Sequence, residues 1–143
     1  MPELPEVETT VGGLQKKVLN RTFIDVWSDH EKMVKRPKDF ELFLKELKGK
    51  KIKEVWRRAK NVIFELSGDY SLLVHQKMTG HLMVGEWVQE SNKWKPKKRG
   101  PLEEKINLYI HLILFLDNGQ MIALSDLRKF AKVELWKTEE LLK

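Results

Sequence analysis

The sequence contains no cysteine among its 143 residues, and only four histidines. Disulfide bonds, cysteine nucleophiles and zinc sites built on thiolates are therefore excluded. We expect neither a metal nor a cofactor. No apolar run approaches the roughly 20 residues of a membrane-spanning helix, and the acidic amino-terminal residues are unlike a secretory signal. These absences indicate a cytoplasmic protein without a membrane partner.

A surplus of basic residues is the main feature of the composition. Lys and Arg number 27 against 21 Asp and Glu, which gives a net charge of +6 and a pI near 9.4. This balance favours a polyanionic partner. A chain of this length can bury most of its apolar surface in one core, so we expect a single domain over residues 1–143.

The first ten residues, MPELPEVETT, carry the strongest chemical signal. Removal of the initiator methionine would leave Pro2 as a secondary amine at the chain end. An α-amino group titrates about two units below a lysine side chain, so part of it is nucleophilic near neutral pH. Attack on a sugar aldehyde would form an iminium ion, and Glu3 and Glu6 could supply the proton donor and base for elimination.

The same prolines also have a purely structural interpretation. Pro2 and Pro5 would then stiffen the entry to a helix, with Pro5 at the first helical position, where its missing N–H costs nothing. From the residues alone, both interpretations stay open.

The spacing of apolar residues predicts two helices and about eight strands. The helices cover residues 5–20 and 37–48, where apolar side chains recur every three or four positions. Strands are predicted at residues 22–27, 51–58, 61–66, 71–75, 81–88, 107–116, 120–124 and 132–136. Short turns, including D-N-G, join neighbouring strands. We therefore predict an α+β, mainly β fold: a two-layer antiparallel β-sandwich flanked by two helices.

Three segments carry further expectations. Gly12 and Gly13 weaken the first helix, so we expect another backbone to approach it closely there. Residues 89–105 have neither period nor apolar mass and predict a mobile loop, solvated or in contact with phosphate through its basic residues. The final T-E-E-L-L-K is typical of the first turn of a helix.

The string P-E-L-P-E-V-E at residues 2–8 resembles the amino terminus of the formamidopyrimidine-DNA glycosylase and endonuclease VIII family of base-excision repair enzymes. The resemblance implies that Pro2 is the nucleophile and Glu3 the catalytic glutamate, with Glu6 beside them. R-R-A-K at residues 57–60 is similar to a family segment whose lysine binds the phosphate next to the lesion. Lys60, which taken alone lies at a solvated hairpin tip, thus becomes a catalytic and DNA-binding candidate.

Two later motifs resemble segments that the family inserts into DNA. H-Q-K-M-T-G begins at His75, and the resemblance implies that Met78 fills the gap left by an everted base, although periodicity alone favours a core residue. D-L-R-K-F-A resembles the family's D-x-R-x-F-G loop. Arg128 would pair with the orphaned base and Phe130 would wedge beside it.

Three positions depart from the family pattern. His111 falls where the family has the second histidine of an H-x-H pair, but Tyr109 replaces the first, so His111 is a weaker candidate for phosphate contact. Lys77 and Ala131 stand where the family has glycine.

The resemblance implies a bifunctional DNA glycosylase and abasic-site lyase that forms a Schiff base through Pro2. Its partner would be single- or double-stranded DNA with oxidised bases or abasic sites. No segment matches the family's second domain, which bears a helix-two-turn-helix and usually a zinc finger; a homodimer could replace that DNA-binding surface. One alternative is a non-catalytic module of the same fold that binds damaged or single-stranded DNA. Another is an interaction domain unrelated to nucleic acid, if the motif matches are accidental.

Overall fold

Eleven strands, three α-helices and one 3₁₀ turn form the part of the chain that the computed structural model describes, namely residues 12–76, 80–91, 93–97, 109–126, 129 and 131–141. In chain order they are α1 (residues 12–18), β1 (Phe23–Ser28), the 3₁₀ turn (Glu31–Met33), β2 (Val34–Arg36), α2 (Phe40–Leu47), β3 (Ile52–Arg58), β4 (Asn61–Leu66), β5 (Tyr70–His75), β6 (Gly80–Gly85), β7 (Trp87–Glu90), β8 (Lys93–Pro96), β9 (Ile110–Leu116), β10 (Met121–Asp126), β11 (Lys132–Lys137) and α3 (Thr138–Leu141).

The strands form two large sheets and a small one. The four-stranded sheet has the order β1-β9-β10-β6, the five-stranded sheet β2-β11-β5-β4-β3, and β7 pairs with β8 alone. The predicted sandwich class is confirmed, and neighbouring strands are antiparallel except for β2 and β11, which run parallel. The sequence prediction missed β2, because three residues are too short to show a period.

The core lies between the two large sheets, where alternate residues of each strand point inward. Val62, Phe64, Leu72 and Val74 from the five-stranded sheet are fully buried, as are Leu112, Leu114, Ile122 and Leu124 (at most 1% exposed) from the four-stranded sheet. These residues belong to one continuous hydrophobic cluster, to which both α1 and α2 contribute. The two large sheets therefore share one core.

The two predicted helices pack onto this core. In α1, Leu14 and Val18 are buried, as the spacing of four predicts. The Nε2 of Gln15 donates to the Val55 carbonyl at 2.6 Å and ties α1 to β3. In α2, which begins at residue 40 rather than 37, the side chain of Asp39 accepts from two backbone N–H groups of the first turn.

The expected close approach at Gly12 and Gly13 is wrong. Among the residues that the structure describes, a Cβ built on either glycine would meet nothing within 4 Å. These glycines therefore have no close packing partner within the described part of the chain.

The prediction of a mobile loop over residues 89–105 is also wrong in its first part, because β7 and β8 form a hairpin. Residues 98–105 lie outside the described residues. Trp87 is 2% exposed. Trp94 packs edge-on against Trp27 and Phe115, with ring centroids 5.5 and 5.9 Å away. The hairpin therefore covers the outer face of the four-stranded sheet with a second, smaller core.

The helical turn predicted at the end of the chain is confirmed as α3. Glu140 forms a 2.7 Å ion pair with Arg36, whose guanidinium lies 4.0 Å from the centre of the Trp136 ring. The Nη1 of Arg58 donates to the Leu141 carbonyl at 2.9 Å. In the described ranges, no helix has the length and apolar character needed to span a membrane.

Candidate nucleic-acid interface

Both large sheets end at a common edge of the sandwich, because two connections cross between them there. One leads from β5 to β6 and the other from β10 to β11. His75 at the end of β5 is in register with Asn61 on one side and Lys132 on the other. In the other sheet, Asp126 at the end of β10 is in register with Gly80. We call the edge marked by these five residues the loop edge.

Lys60 lies in the tight turn between β3 and β4, at the loop edge. Ala59 has a φ of 54°, a left-handed conformation that reverses the chain within two residues. The Nδ2 of Asn61 donates to the Arg58 carbonyl at 3.3 Å across the turn. Lys60 is half-buried. Because Asn61 is also in register with His75, the structure brings Lys60 and His75 to adjacent strand ends.

The connection from β10 to β11 is closed by one buried carboxylate. Asp126 is 0% exposed, and its Oδ2 accepts a 2.7 Å hydrogen bond from the Ala131 N–H. Its own carbonyl accepts from the Lys129 N–H at 3.3 Å, and Lys129 has a φ of 58°. The aspartate of D-L-R-K-F-A thus acts as the anchor of the loop, a role that the sequence prediction missed. Arg128 and Phe130 lie outside the described residues.

The connection from β5 to β6 is closed in a similar way. Gln76 is 2% exposed, its side-chain Oε1 accepts from Leu82 N–H at 3.0 Å, and its carbonyl accepts from Gly80 N–H at 2.9 Å. A Cβ on Gly80 would lie 2.3 Å from that carbonyl oxygen and 3.1 Å from the Cβ of Ala131. The glycine therefore allows the two connections to touch. Met78 lies outside the described residues.

His111 lies at the start of β9, beside the end of β1. Its Nδ1 is 2.7 Å from the Asp29 carboxylate, an arrangement that fixes the ring. The Ser28 hydroxyl donates to the His111 carbonyl at 2.6 Å and accepts from the His30 N–H at 3.0 Å. Partial burial and the nearby Lys129 charge lower the pKa of His30. Lys129 belongs to the β10–β11 connection, so this group of residues adjoins the loop edge.

Three of the predicted site residues are described, and the structure brings Lys60, His75 and His111 to the same side of the sandwich. The others lie outside the described residues, and their positions stay predictions: Pro2, Glu3, Glu6, Met78, Arg128 and Phe130. Sequence reasoning missed Asp29 and His30. Their only signal was the polar S-D-H-E-K that begins at the last residue of β1.

Residues 1–133 match the family model described as the formamidopyrimidine-DNA glycosylase N-terminal domain. The chain belongs to this family. The formamidopyrimidine-DNA glycosylases of Pediococcus pentosaceus and Shouchella clausii are 37% and 35% identical to it, over 98% and 95% of the chain. The chain spans less than half of these relatives, 45% and 44% of their lengths.

Solved formamidopyrimidine-DNA glycosylases share the fold. The Lactococcus lactis Fpg in complex with FAPY-dG containing DNA superposes with a TM-score of 0.78 at 30% identity, covering 98% of this chain and 46% of that chain. The same values describe a complex of the Lactococcus lactis Fpg with abasic-site DNA. The predicted family and fold class are therefore confirmed for this chain.

Proposed function

We propose that this chain is a DNA base-excision repair domain that acts as a bifunctional glycosylase and abasic-site lyase. The observation that carries the proposal is the loop edge. Lys60, His75 and the hydrogen-bonded ends of the two connections all lie at this edge. The sequences of both connections resemble segments that the family inserts into DNA.

The proposed reaction begins at Pro2. Its unprotonated amine attacks C1′ of the damaged nucleotide, and the bond from C1′ to the base breaks, so that the base leaves with the electron pair and takes up the proton lost from the Pro2 nitrogen. The nitrogen lone pair then opens the sugar ring while Glu3 donates a proton to the ring oxygen. The product is an iminium ion at C1′. Loss of a proton from C2′ then supplies the electron pair that expels the 3′ phosphate, so the strand is cut by elimination. Glu6 or Glu3 is the base, and water finally releases the sugar.

Lys60 and the two connections serve DNA binding in this proposal. Lys60 holds a phosphate next to the lesion as a point charge. Met78, Arg128 and Phe130 occupy the gap left by the everted base, which offsets an unstacking cost of a few kcal/mol. The partner is single- or double-stranded DNA with an oxidised base or an abasic site, and a homodimer would add phosphate contacts.

The strength of DNA binding follows from the number of phosphate contacts. A chain of 143 residues offers fewer phosphate contacts than a chain of twice that length would. We therefore expect weak affinity that falls steeply with salt. Abasic and single-stranded substrates are the easiest for such a domain, because less base pairing must be broken.

Borohydride reduction tests the proposal. The protein is mixed with an oligonucleotide that contains an aldehydic abasic site, reduced, and analysed by intact mass. We expect a covalent adduct of protein lacking Met1 plus the cleaved or intact strand. An oligonucleotide with a tetrahydrofuran site is the matched control, because it has no aldehyde and cannot form an imine.

The other outcomes distinguish the alternatives. Binding to abasic DNA without any adduct would contradict lyase chemistry and favour a non-catalytic module of the same fold. Retention of Met1 in the purified protein would point the same way, since it places the Pro2 nitrogen in a peptide bond. Absence of both binding and adduct would overturn the proposal for DNA altogether.

A further inference from the structure

Five charged or titratable groups from three parts of the chain lie near one another beside the loop edge. The backbone places Lys129 there, because its N–H donates to the Asp126 carbonyl at 3.3 Å and the Asp126 N–H donates to the Tyr109 carbonyl at 2.9 Å, two residues before His111. Asp29, His30 and Lys35 come from the end of β1 and from β2, His111 from β9, and Lys129 from the β10–β11 connection. We call these five residues the histidine cluster. The sequence motifs pointed to His111 alone.

Hydrogen bonds hold the two histidines of the cluster in place. The Ser28 hydroxyl joins the His30 N–H, at 3.0 Å, to the His111 carbonyl, at 2.6 Å. The Asp29 carboxylate lies 2.7 Å from the His111 Nδ1, and the His111 side chain is 12% exposed. The Asp29 contact occupies Nδ1, so the second ring nitrogen, Nε2, is the one left for another partner. The cluster is thus arranged before any ligand binds.

The charges around His30 favour an anion. Lys129, His111 and Lys35 each disfavour a proton on His30, whereas Asp29 is the one acid among the described residues that act on it. Asp29 is also engaged with His111. Partial burial acts in the same direction as Lys129, His111 and Lys35 and is the largest cause of the lowered pKa of His30. The cluster therefore carries a surplus of positive charge that a bound anion would balance.

We infer that a backbone phosphate of DNA binds between His30, His111 and Lys129, and that His30 takes up a proton from solvent as the phosphate binds. The inference rests on the proposed function, because DNA is the polyanion that the loop edge would bring to this place. Lys129 lies between Arg128 and Phe130 in the chain. A phosphate held by Lys129 would fix that connection relative to the DNA strand, so the cluster would act as a positioning site and not a catalytic one.

The proton uptake follows from electrostatics. A phosphodiester beside His30 counteracts the repulsion from Lys129 and stabilises the imidazolium, so the pKa of His30 rises on binding. By linkage, a group that binds a proton more tightly in the complex makes the complex tighter as pH falls. DNA affinity should therefore increase between pH 8 and 5.5, with a part that depends on His30.

The test is an NMR titration of the four histidine rings in the free protein and in its complex with duplex DNA that contains a tetrahydrofuran site. The His30 signal is assigned from the His30→Gln variant. In the free protein we expect His30 to titrate below its ordinary value of about 6.5, and in the complex above it. An unchanged His30 pKa in a saturated complex would overturn the inference and leave the proposed function intact. If the parent protein binds no DNA, both the inference and the proposed function fail.

Two lysine variants make the test independent of His30 itself. Lys129→Gln should raise the pKa of His30 in the free protein and lower the salt dependence of DNA binding by about one unit. Lys53→Gln is the matched control, because Lys53 is exposed near the start of β3, at the end opposite the loop edge. It should change neither quantity. Equal effects of the two variants would contradict the proposed site, and thermal melting checks that each variant is folded.

Discussion

The Ala131 N–H donates a 2.7 Å hydrogen bond to the fully buried carboxylate of Asp126. This bond joins the two ends of the short connection that carries Arg128 and Phe130. A buried donor that loses its acceptor costs about 1–3 kcal/mol.

Asp126→Ala should therefore lower the free energy of unfolding by about 1–3 kcal/mol, because the Ala131 N–H loses this acceptor. Asp126→Asn is the matched control, since it keeps an oxygen acceptor at the same position and should lose less. Urea denaturation measures both. We also expect Asp126→Ala to lose more cleavage activity on duplex than on single-stranded abasic DNA, because only the duplex has a stack that must be held open. Equal losses on the two substrates would contradict this role of the connection.

Gly80 provides a second test of how the two connections meet. Gly80→Ala would place a Cβ 2.3 Å from the Gln76 carbonyl oxygen, so the backbone must shift. We expect a loss of about 1–3 kcal/mol in unfolding free energy, together with reduced cleavage. Gly13→Ala is the control: nothing described lies within 4 Å of its Cβ, and an alanine in a helix should stabilise by roughly 0.5–1 kcal/mol. Chemical denaturation gives the unfolding free energy of both variants. Similar changes in Gly80→Ala and Gly13→Ala would contradict the close contact at Gly80.

Lys60 should act through charge alone. Lys60→Ala should weaken binding alike on damaged, abasic and undamaged DNA, and lower the slope of log K against log salt by about one unit. Lys53→Ala removes an equal charge away from the loop edge and should leave the slope unchanged. Fluorescence anisotropy at several salt concentrations gives the slopes. A defect of Lys60→Ala confined to one lesion would contradict a phosphate contact.

The lowered pKa of His30 predicts how the stability of the protein depends on pH in the absence of DNA. Its pKa is lowered in the folded state by partial burial and by Lys129, so the unfolded chain binds the proton more tightly. Stability should then fall as pH drops below about 6.5, through the window down to the folded pKa. The loss of melting temperature from pH 7.5 to 5.5 should be smaller in His30→Gln than in the parent. An identical loss in both proteins would show that His30 does not contribute.

The strands that the sequence predicted best are those with clear alternation or short turns. Residues 61–66 were predicted to the residue, because an apolar strand there is bounded by two turns. β2 was missed because it has three residues and pairs in parallel with β11, about 100 positions later. The β7–β8 hairpin was missed because Trp94 stands alone among polar residues and Trp87 was assigned to the strand predicted over residues 81–88. Only the folded sheet shows that both rings rest on one apolar face.

In the candidate site, too, local sequence motifs revealed some residues and not others. Lys60 and His111 were reached through motifs, since their neighbours along the chain form recognisable strings. Asp29 was not, because its contact with His111 joins residues 82 positions apart, and no local pattern contains both. The anchoring role of Asp126 was also invisible, because burial decides whether an aspartate in such a loop is solvated or holds a backbone N–H.

The central claim is that Pro2 is the nucleophile, and the most direct measurement is the position of the covalent bond. The adduct reduced with borohydride is digested with a protease and a nuclease, and the modified peptide is sequenced by tandem mass spectrometry. We predict that the sugar remnant lies on the nitrogen of Pro2 at the start of P-E-L-P-E-V-E, and that Pro2→Gly forms far less adduct. A remnant on a lysine side chain, or undiminished trapping by Pro2→Gly, would contradict the account.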